Sequence, residues 1–501
     1  MYDLLPAFSV STQAFVRVAY GLLMLATLVQ ALPEARRFFM SERWGGYTQS
    51  SRLADAIQNP LVMPLVLAIW MAAAAALVAG WASPWPALVN LLMCRYFFIQ
   101  MRWRSVLRGM GAPGFMAYWT GLAVFLLEYT QRFAPEVRSL ALLVLQVDLA
   151  LIMLSAGIYK FTAGYPRNQG MELGLCNPMW GYWWRWYAAR PPNSAVFWTM
   201  NQFAWGTEVV LALLMLVPAT RELGGLLLIV SFLFILTQIR LGFLCEMVVV
   251  CGLLYVQSGG TVERWIVAAT GPVQAPLAAA PGVALETANT LLGGALWMYL
   301  ILLPVAHAGL YYNFYARRAL TAPAQRVLER YTNLFGMIIW RVFSVDLVNF
   351  FIRIWHEPRN GGTRTPAGTL GSWPRFNHVG EMICVTSLFT TLKYYPSNEG
   401  MFRERLLRYA RTIPHERSEV LVFEYVSVVR RETRFDWVPA GEYRVDVEAE
   451  TVTERALDES FAPRAAHTVS PVHAGDLPGS YAPASALQAG VPRGLEPPRR
   501  G

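Results

Sequence analysis

The chain has 501 residues, 55% of them hydrophobic and 15% charged, with a mean hydropathy of +0.34. An average soluble domain is about 25% charged, so this composition argues against a water-soluble globule and for a chain exposed to lipid. The net charge of +9 does not indicate nucleic acid, because the arginines lie mostly in short links between apolar runs, where anionic headgroups are the better partner. Five cysteines without a C-x-x-C pair, and histidines at no regular spacing, leave no metal site to assign. The N-terminus lacks a basic start and a small-residue cleavage site, so the first apolar run is expected to stay as a span.

A span needs about 20 mainly apolar residues. Runs near 13–32, 59–82, 84–101, 113–130, 139–161 and 195–218 meet that requirement. Residues 222–257 are apolar for too long to form one ordinary span. Arg240 and Gly242 interrupt them, which predicts two short spans or a broken helix lining a cavity. A further run at 291–314 is followed by the basic cluster Tyr315 to Arg318. The stretch 335–355 is apolar but holds Arg341, Asp346 and Arg353, and is expected to form an interfacial or re-entrant helix.

Beyond it the character changes. Residues 360–368 read as a linker and 398–413 as a basic amphipathic helix. Residues 419–429 and 442–452 have strand composition and are expected to be joined through a turn at Pro439 to Gly441. The fold class predicted is mainly α: a polytopic helical membrane bundle of about eight or nine spans. It comprises a transmembrane domain over 1–318, an amphipathic segment over 319–356, a small α+β soluble domain over 357–456 and a disordered tail over 457–501. The links after the first, third and fifth runs hold most arginines, among them Arg36, Arg37, Arg43, Arg52, Arg167, Arg185 and Arg190, and the positive-inside rule puts those links in the cytoplasm.

The run Ser139 to Phe161 carries an acid near its middle, Asp148, and a lysine at its end, Lys160. An ionisable group at membrane depth costs about 3 kcal/mol or more, so it normally faces a protein interior or a watery cavity. Twelve helical steps separate the two residues by about 18 Å along the axis and about 120° around it, so they cannot pair. Lys160 therefore needs a partner from another helix, or must stay neutral. A desolvated lysine becomes a usable general base at neutral pH. A lysine at a helix end also commonly snorkels to the headgroups, and that reading stands beside the first. Ser155 and Tyr159 share the face of Asp148, while Gly157 lies a turn below Lys160, where another helix could approach closely.

Other charges join the set. Glu208 lies inside the sixth run, and Arg240 and Glu246 flank the break in the seventh. One arrangement pairs Lys160 with Glu208 or Glu246, and Arg240 with Asp148 or the remaining acid. Tyr159 and these groups would tune or relay protons. The segment 179–187, with Trp183, Trp184, Arg185 and Trp186, reads either as an interfacial belt or as a lid over a hydrophobic ligand.

The stretch Ala156 to Gly170, followed by an acid-bearing span and Phe234 to Met247, resembles the horizontally transferred transmembrane (HTTM) domain shared with vitamin K-dependent gamma-glutamyl carboxylases. Val16 to Val29 is similar to that domain's first span, and the likeness covers about residues 10–315. Gly157 and Lys160 match the family's lysine-bearing stretch, Tyr165 stands where the family has tryptophan, and Gly170 falls about two residues late. The spans before Lys160 contain no histidine to match the family's other proposed catalytic residue. The resemblance implies an integral, multi-pass membrane protein (in the cytoplasmic membrane if bacterial) using a reduced quinone of the vitamin K or menaquinone type. In such a protein Lys160 is the base, the reaction is carboxylase-like or another oxidation, and the partners are lipid, a hydrophobic small molecule and a protein or peptide substrate. The alternative is a non-catalytic scaffold or chaperone resembling lipase maturation factors or DoxX-like proteins, whose C-terminal domain docks a partner. Proton-coupled transport ranks last, since no symmetric second half is visible.

Overall fold

A computed structural model describes residues 5–101, 111–271, 283–314, 320–335, 348–367, 384–386, 388–390, 392 and 399–457. The expected basic cluster at 315–318, Arg341, Asp346 and the tail from 458 onward lie outside these residues. The described chain is mainly helical. Its principal helices are α1 (Val10–Ala31), α2 (Val62–Ala79), α3 (Trp85–Cys94), α4 (Gly111–Phe133), α5 (Arg138–Thr162), α6 (Met171–Cys176), α7 (Ala195–Leu216), α8 (Arg221–Gln238), α9 (Leu244–Gly252), α10 (Val283–Phe314), α11 (Ala322–Phe335) and α12 (Glu399–Ala410). Among the described residues, five helical stretches, Val10–Phe39, Val62–Ala79, Pro135–Thr162, Arg221–Gln238 and Leu285–Asn313, are long and apolar enough to cross a membrane. The count of eight or nine is not reached by that measure. α5 is the central one: 17 of its 25 residues are buried, whereas α10 is mostly exposed along its length.

The long apolar region 222–257 does break. α8 ends at Gln238, α9 begins at Leu244, and Gly242 between them has a left-handed backbone with φ +61°. The freed backbone is satisfied by the link 177–182: Arg240 N donates to Trp180 O (2.8 Å) and Tyr182 N to Gln238 O (3.0 Å).

Two expectations about the C-terminal part are corrected. Residues 350–355 are not part of a re-entrant helix, because Phe350–Pro358 is strand β1 of an antiparallel sheet. The aromatic and β-branched residues there (FFIRIW) suit a strand, with Phe350, Ile352 and Ile354 buried on one face and Phe351, Arg353 and Trp355 on the other, where only Phe351 of the three is buried. The expected boundary at 357 therefore falls inside β1. With β2 (Thr365–Pro366), β3 (Glu419–Arg430), β4 (Phe435–Asp446) and β5 (Thr451–Ala456), the sheet order is β2-β1-β3-β4-β5. The Pro439–Gly441 segment is not a turn but the middle of β4. The register shifts between Tyr425 and Val426, so that they face Gly441 and Pro439 and leave Ala440 as the extra residue. Proline has no N–H for a ladder, and a bulge is where a strand tolerates it.

The sheet is seated on the bundle. Phe435 of β4 meets Phe197 of α7 edge-on (5.5 Å), while Phe350 stacks on Tyr425 within the sheet (4.6 Å between centroids). Asn177 donates through Nδ2 to the carbonyls of Val348 (2.8 Å) and Phe350 (2.9 Å). On α12, Arg408 pairs with Glu42 (3.0 Å), and Tyr409 packs on Tyr47 (6.0 Å) under the Arg37 guanidinium. The links 32–61 and 163–194 both touch this unit, so they lie on one side of the bundle. That is the end at which α5 presents Lys160.

Candidate functional site

The site is built where α5 meets α7. Gly157 makes the approach possible: a Cβ there would lie 2.6 Å from Val209 Cγ2 and 3.1 Å from the Trp205 carbonyl oxygen. One turn further along α5, Lys160 donates through Nζ to Glu208 Oε1 of α7. Lys160 is 3% exposed and Glu208 5%, so the ammonium does not snorkel to the surface. The second carboxylate oxygen, Oε2, has no hydrogen-bond partner among the described residues. Such an orphaned buried acceptor costs about 1–3 kcal/mol, more for a charged group.

Both side chains line a pocket of about 460 Å³ between α7 and α8, within the range of small-molecule sites. Its walls are mainly apolar, and three of them, Phe203, Val230 and Phe234, are 66%, 62% and 47% exposed. The pocket therefore opens sideways, onto the outer faces of α7 and α8. Of its uncharged polar side chains, Ser231 already donates to Leu227 O (2.6 Å).

Beyond Lys160 the chain turns through Tyr165 to Gly170. Tyr165 is fully buried, and a Cβ on Gly170 would stand 2.4 Å from its ring. These two positions pack the turn together. Glu172 on α6 then accepts from Gly170 N (2.9 Å), Asn201 Nδ2 (3.0 Å) and Arg430 Nη1 (3.2 Å), while Met171 N donates to Asn201 Oδ1 (3.0 Å). Met171 is itself a pocket wall. Glu172, Asn201 and Arg430 come from three separate segments, so no local spacing in the sequence marks them. The one available signal was an acid in a glycine-rich link beside the aromatic cluster.

The other expected residues are not gathered at the pocket. Asp148 accepts from Trp119 Nε1 (2.9 Å) and Tyr299 Oη (3.4 Å), on another face of α5. Tyr159 packs there too, with Leu303 and Leu310 of α10. Arg240 donates to the Pro178 (2.8 Å) and Met179 (3.3 Å) carbonyls and lies 5.0 Å from the Tyr182 ring centroid, so it serves the helix break. Glu246 sits in the first turn of α9, where an acid complements the helix dipole.

None of Trp183, Trp184, Arg185 and Trp186 is among the pocket-lining residues. Trp183 Nε1 donates to Thr237 O (3.0 Å) at the end of α8. Trp184 meets Trp437 of β4 edge-on (5.3 Å) with the Arg185 guanidinium over it. Trp186 packs on Tyr187 (4.9 Å). Their place is a strut between the helix break and the sheet. Among the described residues there is no cluster of three or more metal-ligating side chains.

No protein-family model, curated protein or solved structure matches the chain. The pocket's own chemistry is thus what bears on function.

Proposed function

We propose that the chain is a multi-pass integral membrane protein whose pocket between α7 and α8 takes up a lipid-soluble molecule and holds its polar end against Lys160 and Glu208. The observation that carries this reading is a buried cation–anion pair on the wall of an otherwise apolar pocket whose rim is exposed and apolar. A buried ion pair is weak evidence for stability alone, since well-packed apolar residues would often serve as well. Its place on the wall of a pocket of ligand size favours recognition. An entrance on the outer face of the bundle suits a ligand dissolved in hydrocarbon, and large exposed apolar patches commonly mark such contacts.

Of the chemistries considered, a reduced quinone handled by a carboxylase-like or related oxidising enzyme fits best, in keeping with the HTTM resemblance around Ala156 to Gly170. The arginine-rich links and the seated sheet would then face the cytoplasm. The experiment is to purify the full chain in detergent, extract it with organic solvent and identify what comes off. Ala204→Phe, which fills the pocket from its wall, serves as the comparison. A quinone bound to the wild type and lost from Ala204→Phe supports the reading. Reduced menaquinone, labelled bicarbonate and a glutamate peptide then test for carboxylation. If both proteins carry the same lipids, the pocket is not a binding site.

A second reading, the non-catalytic scaffold, is favoured by the way the sheet is fixed to the bundle through Asn177, Arg408 and Arg430. A stoichiometric protein partner, with no bound quinone, would support it.

A further inference from the structure

We infer that Glu208, and not Lys160, is the group that accepts a proton from the molecule held in this pocket, with Lys160 the cation that steadies the oxyanion left behind. This rests on the ligand-pocket reading above. Three observations lead to it. Lys160 Nζ gives one hydrogen to Glu208 Oε1, and as the ammonium partner of that carboxylate it keeps two further donors for a ligand and has no lone pair to act as a base. Glu208 Oε2 is the acceptor left without a partner among the described residues, on a side chain that lines the pocket. The remaining polar walls are hydroxyls, Thr199, Thr207 and Ser231, which are not bases at neutral pH.

The step balances. The ligand O–H bond breaks, its electron pair stays on the ligand oxygen, and the proton forms an O–H bond on Oε2. Lys160 keeps its three protons and exchanges the carboxylate, now a neutral acid, for the new oxyanion. One positive and one negative charge are present before and after, so no uncompensated charge appears in a poorly solvated site. The same count defines the ligand. A fatty acid would set two carboxylates against one ammonium, whereas a neutral hydroxyl on an apolar body matches the pair.

The probe is a para-nitrophenol carrying an alkyl tail, whose phenolate absorbs visible light, added to the full chain at a pH where the free probe is neutral. The wild type is expected to bind it as phenolate. Lys160→Arg should keep the phenolate band, because a guanidinium stays charged and cannot act as the base. Infrared difference spectra should show a protonated-carboxyl band appearing with the probe in the wild type and in Lys160→Arg but not in Glu208→Gln, and Glu208→Asp should restore part of it. Phenolate on Glu208→Gln together with neutral phenol on Lys160→Arg would make the amine the acceptor and overturn the assignment. So would neutral phenol on the wild type. If Glu208→Gln does not fold, infrared difference spectra of the wild type decide: a protonated-carboxyl carbonyl band appearing with the probe supports the assignment, and no such band overturns it. A wild type that binds no probe removes the pocket reading itself, an outcome distinct from binding without proton transfer.

Discussion

Arg430 at the end of β3 reaches Glu172 of α6 at 3.2 Å, and Glu172 is 1% exposed. The same guanidinium also donates to the Asn168 carbonyl and, through Nη2, to Asn193 Oδ1 (2.6 Å). A strand of the sheet is thus clasped to the turn that follows Lys160, and through Asn201 to the helix that carries Glu208.

Removing the cation should be felt on both sides of that clasp. Arg430→Ala leaves a buried carboxylate without its charge partner, which typically costs about 3–5 kcal/mol. The arginine is itself about a quarter exposed (26%), and solvent screening brings the expectation to about 2 kcal/mol. Limited proteolysis should cut the links 163–194 and 431–434 faster in Arg430→Ala. Arg430→Ala combined with Glu172→Gln should lose less than the sum of the two single changes, because the second removes the stranded charge. Additive losses would mean the pair is not coupled.

Gly157 supplies a second test. A valine there must displace Val209 and the α7 backbone, and overpacking of this kind costs about 1–3 kcal/mol. Gly157→Val is expected to lower the thermal midpoint in detergent and to abolish binding in the pocket, since Lys160 and Glu208 can no longer meet. Gly206→Ala, at a position where a Cβ meets nothing within 4 Å, should do neither. Unchanged binding in Gly157→Val would show that the pocket does not depend on that helix approach.

How far the sequence discloses these features depends on the range of the interaction. The helical runs and the break after Gln238 are written locally, in apolar length and in Arg240 and Gly242. The charges at Lys160 and Glu208 stand out because a bilayer tolerates so few. What the chain conceals is which helix faces which. Asp148 and Lys160 share a helix yet face different neighbours, and only the packing of α7 and α10 on α5 reveals it. β1 is hidden for another reason. Phe351 and Trp355 put apolar bulk on the face opposite Phe350, Ile352 and Ile354, so the alternation is masked and the stretch reads as one more apolar run. The role of Trp184 depends on Trp437, 253 positions away, a pairing no local pattern encodes.

Asp148 is expected to act in packing and not in the chemistry of the pocket. Its Oδ2 holds Trp119 and Tyr299, and Asp148→Asn retains an oxygen for both. That change should alter stability by less than about 1 kcal/mol, the scale of one ordinary hydrogen bond. Asp148→Ala strands the buried Trp119 N–H and should cost about 1–3 kcal/mol. In both variants the affinity of a pocket ligand should stay within a factor of about two. A loss of binding or of proton uptake in Asp148→Asn, with stability intact, would instead connect this residue to Lys160 across α5.

The tryptophan strut separates docking from binding. Trp184→Ala removes the edge-on contact with Trp437 and the surface under the Arg185 guanidinium, a change worth about 1 kcal/mol beyond the area lost. Hydrogen exchange in β4 and in the Cys176 carbonyl region, where Trp437 Nε1 donates at 3.2 Å, is expected to quicken. The pocket lies between α7 and α8 and is lined by none of the four residues 183–186, so ligand affinity should hold. Ala204→Phe predicts the reverse, with binding lost and the sheet still protected. If Trp184→Ala instead weakens the ligand tenfold while β4 stays protected, the segment 179–187 is a lid after all, closing over the pocket in a state other than the one described.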